Sequence, residues 1–358
     1  MDTPLPHRGR GAQVQPANRY IATQLVQDLE HVENDEEYLA KLGRPPTEYF
    51  PDESQTIISQ NDSPDISFRY SLNPYRGCLH GCSYCYARPT HEYLGLSAGL
   101  DFETKVFVKH RAPQLFREWL ARPKWQPEEI VFSGVTDCYQ PVEREFRLTR
   151  GCLEVAAECR QPIGIITKNA LVTRDINLLA QLAAHSAVRV AVSITTLDEK
   201  LARRMEPRTS TPTARLRAIS QLAAAGVPAV VMVAPIIPGL NDHEIPAILM
   251  AARDAGATAA GHVLLRLPLA VKDVFLNWLS HSYPDRASKV ESFIRSTRGG
   301  KVNESKFGAR MRGTGAMAEQ IDQTFRLFSR KLRFEKMTSL NAAAFRPPRP
   351  TTGQLELF

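Results

Sequence analysis

No apolar run in this sequence approaches the roughly twenty residues that a membrane span needs. Met1-Asp-Thr-Pro-Leu-Pro6 lacks the basic start and apolar core of a signal peptide. A cytoplasmic protein with no membrane partner is therefore expected. There is no internal repeat. Cysteine is scarce, six in 358 residues, and three of the six crowd into eight positions. An odd set in a reducing compartment reads as metal chemistry rather than as a disulfide framework. Residues 1–65 lack sustained strand alternation. They read as a polar arm, helix-like at 20–30 and 35–42 and flexible over His7-Arg-Gly-Arg-Gly-Ala12. An acidic balance is also missing, for the formal net charge is +7. The excess is uneven: residues 295–350 hold thirteen Lys and Arg against four Asp and Glu, a net of +9, which leaves the rest near −2. Such a segment points to a polyanionic partner, DNA or RNA first. The bland alternative is a solvated helical face that aids solubility.

What is present is a composition 43% hydrophobic, ample for a large core. Apolar runs at 68–72, 106–109, 129–132, 164–167, 188–194, 229–234 and 262–267 predict strands. Helical patterns at 112–120, 149–159, 173–184, 213–225, 245–255 and 272–282 fall between most of them. Strands alternating with helices predict an α/β fold with a parallel sheet. The runs are β-branched and near-continuous, as in strands covered on both faces. About six βα units fall short of an eight-stranded barrel, so the expected architecture is a partial (βα)6 TIM-like barrel with its site at the strand C-termini. The expected division is an arm (1–65), a core (66–284) closed by Pro284, a basic helical extension (285–340) and a tail (341–358) whose Pro-rich part from 345 is extended and detached from the core.

The core is organised around Cys78-Leu-His-Gly-Cys82-Ser-Tyr-Cys85, within Asn73-Pro-Tyr-Arg-Gly-Cys78. Gly77 and Gly81 permit the tight backbone that convergent thiolates need. Thiolates are the usual ligands of iron–sulfur clusters, and three of them leave one iron of a cubane open. A zinc loop completed by His80 or His91, and three structural thiols, are the alternatives at this point. The predicted strand ends carry further chemistry. Ser133-Gly-Val-Thr-Asp137 offers an acid for an ammonium, Lys168 a cation for a carboxylate, Ser193 and Thr195 hydroxyls for a ribose, and Ala234-Pro-Ile-Ile-Pro-Gly239 an apolar surface for a purine. Each alone reads as an ordinary turn; four in succession form a pattern that a zinc loop does not require. Cys152 and Cys159, seven apart on one helical face, read as core.

The C-x3-C-x2-C loop with Tyr84 before its third cysteine resembles the signature of the radical S-adenosylmethionine (SAM) superfamily. Residues 73–87 with Lys168, Ser193 and 234–239 resemble its spore photoproduct lyase-like branch, over about 68–267. The resemblance implies that Cys78, Cys82 and Cys85 hold a [4Fe-4S] cluster. It implies that Tyr84, Lys168, Ser193 and Ala234 line the SAM pocket, with Thr136 and Asp137 near the methionine end. It implies reductive cleavage of SAM to methionine and a 5′-deoxyadenosyl radical, fed by an electron donor such as a flavodoxin or ferredoxin. Tyr84 and Tyr86 match tyrosines assigned to hydrogen-atom relay. The lyase's hydrogen-donating cysteine is matched by Gly134, and Cys138 is the candidate replacement. The expected function is therefore a radical SAM enzyme acting on nucleic acid in repair or modification. A small-molecule or peptide substrate is the alternative, and a non-catalytic metal or nucleic-acid-binding protein the outsider.

Gln354-Leu355-Glu356-Leu357-Phe358 resembles the short motif by which repair proteins dock on the DNA sliding clamp. Leu355, Leu357 and Phe358 offer apolar anchors, and Gln354 offers an amide that both donates and accepts.

Overall fold

The computed structural model describes residues 7, 9–21 and 45–349. Ten strands are described: β1 (Glu48–Pro51), β2 (Ile58–Gln60), β3 (Tyr70–Leu72), β4 (Tyr75–Arg76), β5 (Lys105–Val108), β6 (Ile130–Phe132), β7 (Ile163–Thr167), β8 (Val188–Ser193), β9 (Ala229–Ile236) and β10 (Ala259–Leu264). The main sheet runs β10-β9-β8-β7-β6-β3-β2. Its six strands from β3 to β10 pair in parallel, and β2 joins the β3 edge antiparallel. The fold is thus α/β, a partial barrel of six parallel strands.

Val, Ile and Leu dominate these strands, and Ile130, Ile163, Val188, Val190 and Val231 are fully buried beneath the helices Leu148–Cys159, Pro212–Ala224 and Ile245–Asp254. Two strand readings and one helix boundary differ in detail. β5 leaves the barrel and pairs with β1 and β4 in a separate three-stranded sheet. There it lies parallel to β1 and antiparallel to β4. The last strand begins at Ala259, three residues before the apolar run at 262–267. Ala259-Ala-Gly261 lacks propensity but packs tightly on β9, where a Cβ on Gly261 would lie 2.6 Å from the Met232 sulfur. Pro284 opens the next helix, Pro284–Ser296, at its first turn, the position where a missing N–H costs nothing.

Two segments expected to stand apart from the core are tied to it. Arg10 and Ala12 are buried, as described below. Phe345 packs against the main core. The Arg346 N–H donates to the Cys159 carbonyl at 2.9 Å, and its guanidinium donates to the Glu158 carbonyl at 2.9 Å. These carbonyls end the helix Leu148–Cys159 and lack intrahelical partners, which is why an arginine settles there. The helical readings at 20–30 and 35–42 fall almost wholly outside the described residues, and Gln354–Phe358 falls wholly outside them. Among the described residues no helix is long and apolar enough to cross a membrane.

Candidate active site

The cysteine loop lies against the C-terminal ends of the barrel strands. Gly77 and Gly81 take left-handed φ of +80° and +64°. Each is also sterically required, since a Cβ would meet the Lys105 carbonyl at 2.9 Å and the Glu103 carboxylate at 2.6 Å respectively. Two side chains bolt this loop to the segment after β6. Asn73 accepts from the N–H groups of Val135 (2.8 Å) and Thr136 (3.2 Å). Gln140 accepts from the Leu79 N–H at 2.8 Å and donates to the Gly77 carbonyl at 3.0 Å. Cys78 packs with Ala87 and Phe102, and Cys82 with Tyr84, Ile237 and Leu265; Cys85 touches both groups. Burial pushes all three thiols above their ordinary value; Cys85 raises Cys78 and Cys82 further, and Cys78 raises Cys82. Arg88 and Lys168 oppose the rise at Cys85.

This donor set fits an iron–sulfur cluster. The thiols are gathered and dry, and a metal's charge is what ionises such groups. Among the described residues no three His, Cys, Asp or Glu side chains are arranged around a single ion, whereas a cubane gives each thiolate its own iron. Neither histidine considered as a zinc ligand is grouped with the thiols around one ion among the described residues, although His91 Nδ1 is buried without a partner. His80 lies between Asp137 (3.4 Å) and Asn169 (3.3 Å), and His91 Nε2 meets the Lys105 carbonyl at 2.9 Å.

Beside the thiols, the Lys168 ammonium sits 5.8 Å from the centre of the Tyr84 ring. It makes no ion pair with any described carboxylate, yet it acts electrostatically on Cys82, Cys85 and Glu206. The Tyr84 hydroxyl donates to Glu206, which also accepts from Thr195 at 2.6 Å and pairs with buried Arg215. Thr195 lies 3.3 Å from the Ala234 carbonyl, and Arg215 donates to the Ser193 carbonyl at 2.9 Å. One polar chain thus joins the cysteine loop to the ends of β8 and β9. Burial would raise the Glu206 carboxyl; Arg215, Lys168 and the two hydroxyls outweigh it and hold it at about 2.

The comparisons with known proteins agree with this geometry. The model of the radical SAM superfamily matches residues 72–252. The chain belongs to the radical SAM superfamily. Membership makes it a radical SAM enzyme and implies a [4Fe-4S] cluster and SAM. An uncharacterized protein of Mycobacterium bovis is 39% identical over 232 residues, covering 64% of this chain and 68% of that one. One from Methanocaldococcus jannaschii is 31% identical over 176 residues, 49% of this chain and 63% of its own. Among solved structures, spore photoproduct lyase complexed with dinucleoside spore photoproduct shares the fold, with a TM-score of 0.58 over 79% of both chains at 16% identity.

Within this radical SAM chain three candidate residues do different work from that expected. Asp137 is saturated. One oxygen accepts from Thr167 (2.8 Å) and the Tyr139 N–H (2.9 Å); the other accepts from the Lys168 N–H (2.7 Å) and faces His80. All four lone-pair directions are taken, so it clamps β6 to β7 and has none to offer an ammonium. Thr136 spends its hydroxyl on the Tyr75 carbonyl at 3.0 Å. Cys138 is fully buried in the main core with Tyr139. Cys152 and Cys159 are in that core too. Tyr86 remains half exposed, with its hydroxyl donating to the Gly134 carbonyl at 3.0 Å.

Glu206 and Arg215 were not singled out by sequence reasoning. The signal was an arginine on the buried stripe Pro212, Arg215, Ala218, Ile219, Leu222, which demands a buried acid. A second missed feature covers the cysteine loop. The Gly11 and Ala12 N–H groups donate to the Glu103 carboxylate at 3.1 and 2.7 Å. Glu103 also pairs with Arg88 at 2.5 Å, whose guanidinium donates to the Cys82 carbonyl at 2.8 Å.

Proposed function

We propose that this radical SAM enzyme acts on nucleic acid, with Cys78, Cys82 and Cys85 holding the cluster and Tyr84, Lys168, Ser193 and Ala234 lining the SAM pocket. The observation that carries the reading is the Lys168 ammonium, without a carboxylate partner among the described residues, poised at the strand ends beside the buried Cys78 and Cys82 thiols and the partly buried Cys85. When bound, the cluster and SAM supply reductive cleavage of SAM to methionine and a 5′-deoxyadenosyl radical. The chain supplies the rest. Lys168 offers a point charge to the carboxylate of SAM. The Glu206–Arg215 pair fixes the Tyr84 ring through its hydroxyl. The apolar neighbours Ile237, Leu265 and Leu267 exclude water from the thiols, which guards a reactive species from side reactions. The electron donor in this reading is a flavodoxin- or ferredoxin-type protein.

The nucleic-acid reading is supported by the basic segment 295–350. Arg310 is paired with Asp65 at 2.6 Å, whereas Arg312, Lys301 and Lys306 are exposed and free to meet phosphates. Reversal of a thymine dimer by a thiol donor at Gly134 is not part of the proposal. A Cβ there would lie 2.5 Å from Ser71 Cβ, so no cysteine fits without moving β3, and Cys138 is sealed in the core. The reaction is accordingly read as repair or modification without that thiol.

The test is anaerobic turnover with labelled SAM against damaged DNA, intact DNA and RNA. Label in 5′-deoxyadenosine that rises with one nucleic acid is the expected result; turnover indifferent to all three refutes the substrate class. Replacing Cys78, Cys82 or Cys85 by Ala should abolish SAM cleavage. Cys138→Ala, Cys152→Ala and Cys159→Ala should each keep roughly four irons per chain, one cubane's worth.

A further inference from the structure

The segment after the helix Pro284–Ser296 bridges the two edges of the open sheet. At the β10 edge, Arg298 donates to the Leu265 carbonyl at 2.6 Å and Asn303 accepts from the Leu267 N–H at 3.1 Å. At the β2 edge, the Gly308 N–H and the Arg310 guanidinium both bind Asp65, at 2.7 and 2.6 Å. Where this strap meets the barrel mouth it gathers guanidinium groups beyond what the acids there neutralise. Arg266, just past β10, has no carboxylate within ion-pair distance among the described residues. Its Nε is buried without a partner, and Nη1 has only the Met311 sulfur at 3.4 Å, a weak acceptor. Arg298 also keeps a buried, unpartnered Nε. Burial first, then Arg310, lowers Arg266 from its ordinary value, while Tyr86 and Asp65 oppose the shift. Arg266 acts on Arg298 in the same unfavourable sense. Like charges held together beside a half-exposed tyrosine, with donors unspent, are what an anion site looks like before its anion arrives.

We propose that Arg266, flanked by Arg310 and Tyr86, is an oxyanion subsite that takes a phosphate group of the substrate at the barrel mouth. The assignment rests on the functional reading above and sharpens it. The planar fork of Arg266 suits two phosphate oxygens. Tyr86, tethered to the Gly134 carbonyl and next to Cys85 in the chain, acts electrostatically on Arg266 and so links this subsite to the cysteine loop; in this proposal a phosphate on Arg266 presents its attached sugar or base toward the thiols. The phosphate has two possible sources, a backbone phosphodiester or the terminal group of a mononucleotide.

The experiment uses the full chain, anaerobically loaded with cluster, and titrates it calorimetrically with a short oligothymidylate and with thymidine 5′-phosphate. Arg266→Gln should weaken at least one probe tenfold or more, about 1.4 kcal/mol. Arg266→Lys should recover part of the loss. Selective loss on the oligonucleotide assigns a backbone phosphate, and loss on both a terminal one. Iron content and the thermal transition of each variant check folding. If Arg266→Gln binds both probes as the unsubstituted chain does, or the unsubstituted chain binds neither, the subsite is overturned. Arg266-dependent phosphate binding in a chain that fails to cleave SAM would leave the subsite standing and sink the catalytic reading, so the two failures separate.

Discussion

Asp137 and Glu206 show what single residues disclose and what they hide. An acid in a small-residue loop after a strand, such as Asp137, is readable as a ligand. Its four acceptor directions go instead to Thr167, Tyr139, Lys168 and His80. Glu206 has no legible loop of its own, because it ends the short helix Glu199–Met205. Tertiary contact with Arg215 gives it its role, and no local pattern encodes that contact. The cysteines were legible because three ligands to one cluster must lie close in sequence when one loop supplies them. The Glu206–Arg215 pair yields a prediction with a definite sign. The folded carboxyl is held at about 2, below its ordinary value of 4.5. Its contribution is therefore complete above pH 4.5 and is lost as pH falls from there through about 2. Glu206→Gln leaves the Arg215 charge buried and unpaired, which should cost about 3–5 kcal/mol at neutral pH. Thermal melts of both proteins should converge as pH falls through that window. A gap that stays constant throughout would show that the carboxylate is not what holds Arg215.

At the scale of elements, the sequence displayed the barrel because strands buried on both faces are continuous apolar runs, and such runs are visible without partners. It did not display which sheet a strand joins, so β5 was indistinguishable from a barrel strand. Nor did it display that the N-terminal segment forms a second strap, over the cysteine loop. His7-Arg-Gly-Arg-Gly-Ala12 has the composition of a flexible arm, yet Arg10 is 4% exposed and Ala12 fully buried. Arg10 donates to the Glu103 carbonyl at 2.7 Å, and Arg208 donates to the Gly9 carbonyl at 3.0 Å. Gly11 is there for close approach, since a Cβ would fall 1.7 Å from the Gly81 carbonyl oxygen. Neither backbone can yield cheaply, so Gly11→Ala should lift the strap and expose the loop. The expected outcome is an anaerobically loaded protein whose cluster absorbance bleaches several-fold faster in air, with a loss of about 1–3 kcal/mol in stability from overpacking. Bleaching at the unsubstituted rate would mean that the strap does not shield the thiols.

Over the whole molecule the barrel has two ends with different assignments. The thiols, Lys168 and Arg266 lie at the C-terminal ends of the strands. The last described residues lie at the other end. The helix Leu148–Cys159 runs back along the sheet, and its C-terminal carbonyls, just before β7 begins at Ile163, are where Arg346 is bound. Gln354 lies five residues beyond Arg349, the last described residue, and at about 3.5 Å each these span at most about 18 Å. A sliding clamp docked on Gln354, Leu355, Leu357 and Phe358 would thus be tethered at the face opposite the barrel mouth. Docked and catalytic states would then be compatible, and a clamp carried on DNA would bring nucleic acid to the open end rather than plug it. Two results are expected. Purified clamp should bind the full chain and not a chain truncated after Gly353, and saturating clamp should leave phosphate binding at Arg266 unchanged. Equal capture of both chains, or of neither at micromolar protein, would remove the docking proposal. Competition between clamp and oligonucleotide would contradict the opposed placement, because partners held at opposite ends of the strands do not share a surface.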